Sequence, residues 1–308
     1  MNRREWLGRV AGVAAALTSS GAPRAQATGV ASERSDMIAR KIPSTGERVP
    51  VIGLGTSGPF EVGAAAAARA PLREVIDAFF EGGGRLIDTS PMYSTAERVL
   101  GELLSPAQQQ ACFMATKVWE DGADAGVSQL HDSARLLKHR PLDLIQVHNL
   151  RDLAVQLATL RAWKAEGKVR YIGVTHYTIA THAELARVIR QEKPDFVQFN
   201  YSAVTRDAEH RLLPLAADRG VAVIVNRAFE DGGIFARLKN VPVPAWAADF
   251  DATSWAQVLL KYVIAHPAVT CVIPATGKAR HMRDNLAGGR GRLPDATTLK
   301  RIIAAVNA

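Results

Sequence analysis

A closed barrel of eight parallel strands, each followed by a helix, is the fold this chain predicts, and three observations carry it. Short apolar runs recur eight times, at residues 51–54, 86–87, 112–115, 144–147, 171–174, 196–199, 221–225 and 269–273. The stretches between them carry apolar residues at helical spacing, as in Leu72, Val75, Ile76 and Phe79, or Leu153, Leu157, Leu160 and Trp163. The runs are continuously apolar, which is the mark of parallel strands covered on both faces. Eight strand–helix units within about 270 residues match a closed (β/α)8 barrel, and a doubly wound open sheet is the second architecture they fit.

The first 27 residues read as an address. Arg3 and Arg4 are paired, residues 10–17 form a short Ala-rich apolar run, and Ala25-Gln-Ala27 has the small-x-small form of a cleavage site. So short a run falls well below the roughly 20 residues needed to cross a bilayer. Paired arginines before a weakly apolar run suit a twin-arginine signal, with Arg24 a further hint. Residues 28–40 then form a linker, and residues 41–308 the barrel. The expected location is the periplasm, or the cytoplasm if the signal is unused. No cysteine lies near the cleavage site, so a lipid anchor is not expected.

Residues 41–49 fit a small hairpin closing the barrel floor, with Ser44-Thr-Gly46 as its turn. The first helix is expected to begin near Pro71. Gly82-Gly-Gly84, Gly167 and Gly220 stand where helices end before strands 2, 5 and 7, as left-handed caps require. Gly53-Leu-Gly-Thr-Ser-Gly58 spells G-x-G-x-x-G after a strand, which in a dinucleotide fold faces a pyrophosphate. That chemistry needs a helix beginning at the third glycine. Here Pro59-Phe-Glu-Val-Gly63 intervenes, and Asp77 falls mid-helix instead of ending strand 2, so that reading is set aside.

Composition removes other classes. An apolar content of 47% with 22% charged residues is globular. The formal charge is +8, of which the four arginines and Glu5 in the first 27 residues account for +3, leaving +5. Without Lys/Arg blocks, that charge argues against nucleic acid. Cys112 and Cys271 are the only cysteines; two give neither a disulfide framework nor a metal cluster, and both read as core residues.

Asp88, Lys117 and His148 each stand directly after or at the end of an apolar run, with Tyr93 five residues beyond Asp88. In a barrel, such positions line the active mouth, and strands 2, 3 and 4 are neighbours. A tyrosine becomes a useful acid when positive charge brings its pKa of about 10 down. Lys117 can supply that charge, Asp88 can hold the ammonium, and His148 can bond a substrate oxygen. The four make a proton donor aimed at a carbonyl.

With these residues in place, the chain resembles the aldo-keto reductase superfamily, as a bacterial member with a twin-arginine-type signal. The likeness runs through Val51-Ile-Gly-Leu-Gly-Thr56, Ile87-Asp-Thr-Ser-Pro-Met-Tyr93, Ala115-Thr-Lys-Val-Trp119, Leu144-Ile-Gln-Val-His148, Arg170-Tyr-Ile-Gly-Val174 and Ile273-Pro274 to Asn285. The resemblance implies a barrel binding NADP(H), hydride transfer to an aldehyde or ketone, Tyr93 as general acid tuned by Lys117 and Asp88, and His148 orienting the carbonyl. It places Gly55 and Thr56 at the cofactor, Thr175 and His176 where the family has Ser-Asn, and Gln198 at the usual glutamine. Asn226 replaces the stacking tyrosine, an exchange of ring for amide, and Arg227 follows where serine is common. Ser57 stands where many members carry a tryptophan. After strand 8, residues 275–285 match the adenosine 2′-phosphate site with Ala275 and His281 where lysine and arginine are usual; Lys278 and Arg280 are close enough to supply the charge instead, Thr276 can donate a hydroxyl, and Asp284 and Asn285 are placed to meet adenine. Unopposed cations at a helix N-terminus are unfavourable without an anion, which favours NADP over NAD.

Trp119, Tyr177, Phe229 and Trp246 are candidates for the pocket wall, and residues 227–250, lacking clear periodicity, for a lid. The chain stops soon after its last helix, so an open pocket with broad preference is expected, in a monomer without a membrane anchor or nucleic-acid partner. Two other classes compete. A nucleotide-binding redox sensor or regulatory subunit would accommodate the altered stacking position, though all four catalytic groups are retained. A metal-dependent barrel hydrolase would need several ligands at strand ends, and Lys117 would repel the cation. Because free NADPH is not expected outside the cytoplasm, folding around the cofactor before export is the route that fits both features.

Overall fold

The computed structural model describes residues 36–307, and the signal expected at residues 1–27 lies outside the described residues. The chain enters through strand β1 (Ala39–Lys41), which pairs antiparallel with β2 (Arg48–Pro50) across a turn where Gly46 takes φ 79°. Ile42 and Val49 are fully buried with the innermost side chains of the barrel, so the expected hairpin plugs its floor. The Tyr171 hydroxyl ties it there, donating to Glu47 and sharing a 2.8 Å hydrogen bond with Thr45.

Eight parallel strands follow with helices between them. They are β3 (Leu54–Gly55), β4 (Leu86–Asp88), β5 (Phe113–Val118), β6 (Leu142–His148), β7 (Val169–Thr175), β8 (Phe196–Asn200), β9 (Ala222–Asn226) and β10 (Val269–Val272). Each pairs with the next in sequence order, and parallel bridges Ile52–Val272 and Gly55–Ala275 join the last strand to the first. The expected barrel is therefore closed, which leaves no sheet edge exposed. The first strand is shorter than its apolar run, because Val51 spends its backbone groups on Ile38 and Val272.

The outer ring comprises α1 (Ala66–Glu81), α2 (Ala96–Leu103), α3 (Pro106–Ala111), α4 (Ala123–Leu137), α5 (Leu153–Ala165), α6 (His182–Glu192), α7 (Leu212–Arg219), α8 (Gly233–Arg237), α9 (Trp255–Ala265), α10 (Ala279–Ala287) and α11 (Ala296–Asn307). Helix α1 begins five residues before the proline at which it was expected to start. Ala66, Ala67 and Ala68 have the best helix propensity of any residue and extend the helix upstream, leaving Pro71 inside it. Residues 53–58 lead into a turn, with the first helix opening only at Ala66, so no helix faces the third glycine. Gly83, Gly167 and Gly220 adopt positive φ at the ends of α1, α5 and α7, the left-handed geometry that glycine takes without strain.

The strand period of two sorts the side chains into two cores. Ile87, Met114, Ile145, Val174, Val197 and Val223 face the helices in the larger cluster. Leu86, Phe113, Leu144, Tyr171, Phe196, Ala222 and Cys271 face inward and fill the lower barrel. Phe113 stacks on Tyr171 at 5.7 Å, and Tyr171 meets Phe196 edge-on at 5.5 Å. Cys112 and Cys271 are buried and unbridged, as core residues.

Helices α2 and α4 approach so closely that a Cβ on Gly101 would stand 1.8 Å from the Leu136 carbonyl oxygen. Gly101→Ala is expected to force them apart and destabilise the fold by about 1–3 kcal/mol. A urea unfolding midpoint indistinguishable from that of the unaltered protein would show that the approach is not tight.

Candidate active site

The inward-facing positions change character toward the carboxyl ends of the strands. One or two pleats above the aromatic layer stand Asp88, Lys117, Gln146, His148, Thr175, Gln198 and Asn226, one or two from each of six neighbouring strands, brought level by the register. Asp88 and Lys117 are almost wholly buried. The Lys117 ammonium donates to Asp88 Oδ1 at 2.6 Å and to the Thr89 carbonyl at 2.8 Å. The other carboxylate oxygen accepts from Gln146 and from Gln198, each at 2.9 Å. Gln198 in turn accepts from the Thr175 hydroxyl at 3.0 Å and the Asn226 amide at 3.3 Å. Every oxygen of the buried carboxylate is thus satisfied, as a charge removed from water requires.

Tyr93 arrives from the turn after β4, with its ring 4.8 Å from the Lys117 nitrogen and edge-on to His148 at 6.1 Å. Two opposing effects act on its phenol. Burial raises the pKa, the nearby Lys117 charge lowers it, and the net direction is upward. This corrects the expectation of a phenol made more acidic than usual, because desolvation outweighs the ammonium in this buried position. Burial depresses Lys117, but Asp88 and Tyr93 together more than restore it, and its pKa ends above the ordinary lysine value. His148 is lowered to about 3, by burial first and then by repulsion from Lys117 and His176, so the imidazole is neutral at physiological pH.

These groups open onto a cavity of about 890 Å³. Asp88, Tyr93 and His148 are on its wall, with Lys117 directly behind them. Of the residues assigned to a cofactor from sequence, Gly55, Thr56, Thr175, Gln198, Asn226 and Arg227 border the same cavity. His176 is turned aside, its Nδ1 accepting from the backbone of Tyr177 at 2.9 Å. Thr276, Lys278, Arg280, Asp284 and Asn285 lie beyond Ala275 at the rim and do not border it. Lys278 occupies the N-cap position of α10 without a side-chain capping bond, Asn285 is buried, and the Asp284 carboxylate accepts from Ser254 and Gln257 at the start of α9. Arg227 lies 5.6 Å from the Tyr177 ring and bonds Asp231 and the Tyr177 carbonyl across the mouth.

Of the aromatic candidates, Tyr177 and Phe229 line the cavity and the other two do not. Trp119 is covered by Arg151 at 4.1 Å, and Trp246 packs between Phe250 and Arg301. The segment expected to be a lid supplies Asp231, Gly232 and Phe235 to the wall. Sequence reasoning passed over Ser90, Gln146 and Asn149. Gln146 stands two residues before His148 on β6, and on a strand that spacing returns a side chain to the same face, whereas Ser90 lies in the turn beyond β4, where no such period applies. Among the described residues, no group of three or more His, Cys, Asp or Glu is placed to hold a metal ion, and no helix is long and apolar enough to cross a membrane.

The family profile of the aldo/keto reductases matches residues 51–300. The chain belongs to the aldo/keto reductase family, and with this site it is an oxidoreductase of carbonyl compounds that uses a nicotinamide cofactor. It is 28% identical over 243 residues to the NADH-specific methylglyoxal reductase of Escherichia coli, covering 68% of this chain and 73% of that one. An aldo-keto reductase of Klebsiella pneumoniae solved with NADPH superposes with a TM-score of 0.71 at 26% identity, covering 86% of this chain and 94% of the other. The fold is shared with AKR11C1 of Bacillus halodurans, at a TM-score of 0.70 and 20% identity over 87% of this chain and 96% of that one.

Residues of the cavity fit such a cofactor. Asn226 Oδ1 is buried without a hydrogen-bond partner, an open acceptor beside Thr175 and Gln198 where a carboxamide N–H would satisfy it. Gly55, also on this wall, serves the closure of the barrel itself, since a Cβ there would come within 2.6 Å of the Ile273 carbonyl oxygen.

Breaking the buried pair should be costly. Lys117→Met leaves the Asp88 carboxylate buried without its cation, an expected loss of about 3–5 kcal/mol. Adding Asp88→Asn should recover much of that loss in urea unfolding. A double variant no more stable than the single one would show that the charge is not the cause.

Proposed function

We propose that the protein reduces aldehydes or ketones to alcohols with NADP(H), Tyr93 delivering the proton. The observation that carries this reading is the Tyr93 phenol standing over a buried, fully charged lysine on the wall of one cavity, beside a neutral imidazole. The nicotinamide, when bound, supplies the hydride. Thr175 and Asn226 would hold its carboxamide, with Gln198 fixing both side chains.

Burial keeps the phenol protonated in the resting protein. A substrate oxygen that gains negative charge becomes more basic than a phenolate, so the Tyr93 proton moves to it downhill. The phenolate left behind faces the Lys117 ammonium, which Asp88, Gln146, Gln198 and the Thr89 carbonyl hold in place. His148, uncharged, hydrogen-bonds the carbonyl oxygen and sets its direction. Preference for NADP over NAD is supported by Lys278 and Arg280, which form no ion pair among the described residues at the start of α10. The Escherichia coli relative named for NADH makes the comparison of both cofactors necessary. We further propose export to the periplasm, on the paired arginines and the site after Ala27. N-terminal sequencing of the secreted chain reads whether it begins at Thr28.

Titration of NADPH and NADH by fluorescence, followed by a carbonyl panel, tests the reading. Turnover should favour NADPH, and Tyr93→Phe should keep cofactor binding while losing at least about 100-fold in kcat. Undiminished turnover by that variant refutes the acid, and binding without turnover by the unaltered protein supports a nucleotide-binding regulator instead.

The pH profile follows from the same shifts. Well above about 3 the imidazole is neutral, and the phenol, raised by burial, keeps its proton throughout the working range. Turnover should therefore be level from about pH 5 to 9. An inflection near 6.5 would mean that His148 titrates as an ordinary histidine.

A further inference from the structure

We infer that Ser90 is a positioning residue that fixes the tautomer of His148, holding the ring proton on Nε2 and pointing it at the substrate oxygen. This rests on the proposed role of His148, but the placement of the proton is argued from hydrogen bonds alone. Ser90 is fully buried in the turn between β4 and Tyr93. Its Oγ accepts the backbone N–H of Met92 at 3.1 Å and lies 3.2 Å from His148 Nδ1. A hydroxyl carries one proton, and among the described residues no other acceptor bonds this one. A buried hydroxyl that left its proton unbonded would forfeit a hydrogen bond. The Ser90 O–H therefore donates to Nδ1, which must be the unprotonated nitrogen.

The other ring nitrogen completes the assignment. Nε2 makes no hydrogen bond among the described residues, is not one of their buried unsatisfied atoms, and belongs to a ring on the cavity wall. A neutral imidazole has one proton. With Nδ1 accepting, that proton is on Nε2 and faces the cavity as a donor. The opposite tautomer would present a lone pair to the carbonyl oxygen and repel it. Met92 N–H is the second constraint, because it occupies a lone pair of Oγ and turns the hydroxyl proton toward the ring.

Long-range proton–nitrogen NMR of the full chain with labelled histidine reads the tautomer without reference to activity; His148→Gln assigns the signal. In the unaltered protein, Nδ1 should resonate as an unprotonated nitrogen. Ser90→Ala should shift His148 toward a mixture of tautomers and lower kcat about tenfold with cofactor affinity unchanged, the effect of losing one hydrogen bond. Ser90→Thr, which keeps the hydroxyl, should restore both. A protonated Nδ1 in the unaltered protein, or a tautomer unmoved by Ser90→Ala, overturns the inference. A tautomer that shifts in a protein without carbonyl turnover leaves the inference standing and removes the proposed function instead.

Discussion

Everything at the upper end of this barrel is arranged around one buried ion pair. Asp88 and Lys117 come from adjacent strands, and both are almost wholly buried. An isolated pair in that position would gain less from attraction than it loses in hydration. Four further hydrogen bonds offset the deficit: one lysine proton goes to a carbonyl, the carboxylate takes two amides, and Gln198 links Gln146 to the rest. The chain of bonds continues to Thr175 and Asn226, so side chains from strands β4 to β9 share one network. A half-satisfied network of this kind would be worse than an apolar core, so its members stand or fall together.

The pair also determines the charge state of its neighbours. It leaves a cation beneath Tyr93, and that cation helps to keep His148 uncharged. Burial then acts on the phenol in the opposite sense and prevails. The result is a protonated phenol with a fixed cation beside it, the counter-charge that the proposed proton transfer would need. That division between ground state and reacting state is the form of electrostatic stabilisation that enzymes use most.

Much of this was legible in the sequence because strand periodicity is strict. Eight continuous apolar runs gave the number of strands, and an ionisable residue at or just beyond the ends of three runs gave Asp88, Lys117 and His148. Gly46, Gly167 and Gly220 announced turns that only a left-handed residue serves well. Other features lay beyond reach for physical reasons. Whether burial or a neighbouring charge governs Tyr93 depends on how much water each group loses, which linear order does not express. The start of α1 was misplaced because Pro71 was read as a beginning, whereas the alanines before it propagate a helix through that position. Trp119 and Trp246 were indistinguishable in sequence from Tyr177 and Phe229, since an aromatic on a loop faces inward or outward according to its partners, here Arg151 and Arg301.

The two storeys of the barrel have separate duties. Below, Phe113, Tyr171 and Phe196 sit on a hairpin stopper and take no part in the cavity wall. Above, the rim is drawn from loops after β7 and β9, where Tyr177, Phe229 and Phe235 are displayed. A descendant of this chain can therefore acquire a new clientele by rewriting those loops while inheriting the lower storey intact, because folding and taste are recorded in different parts of the same text.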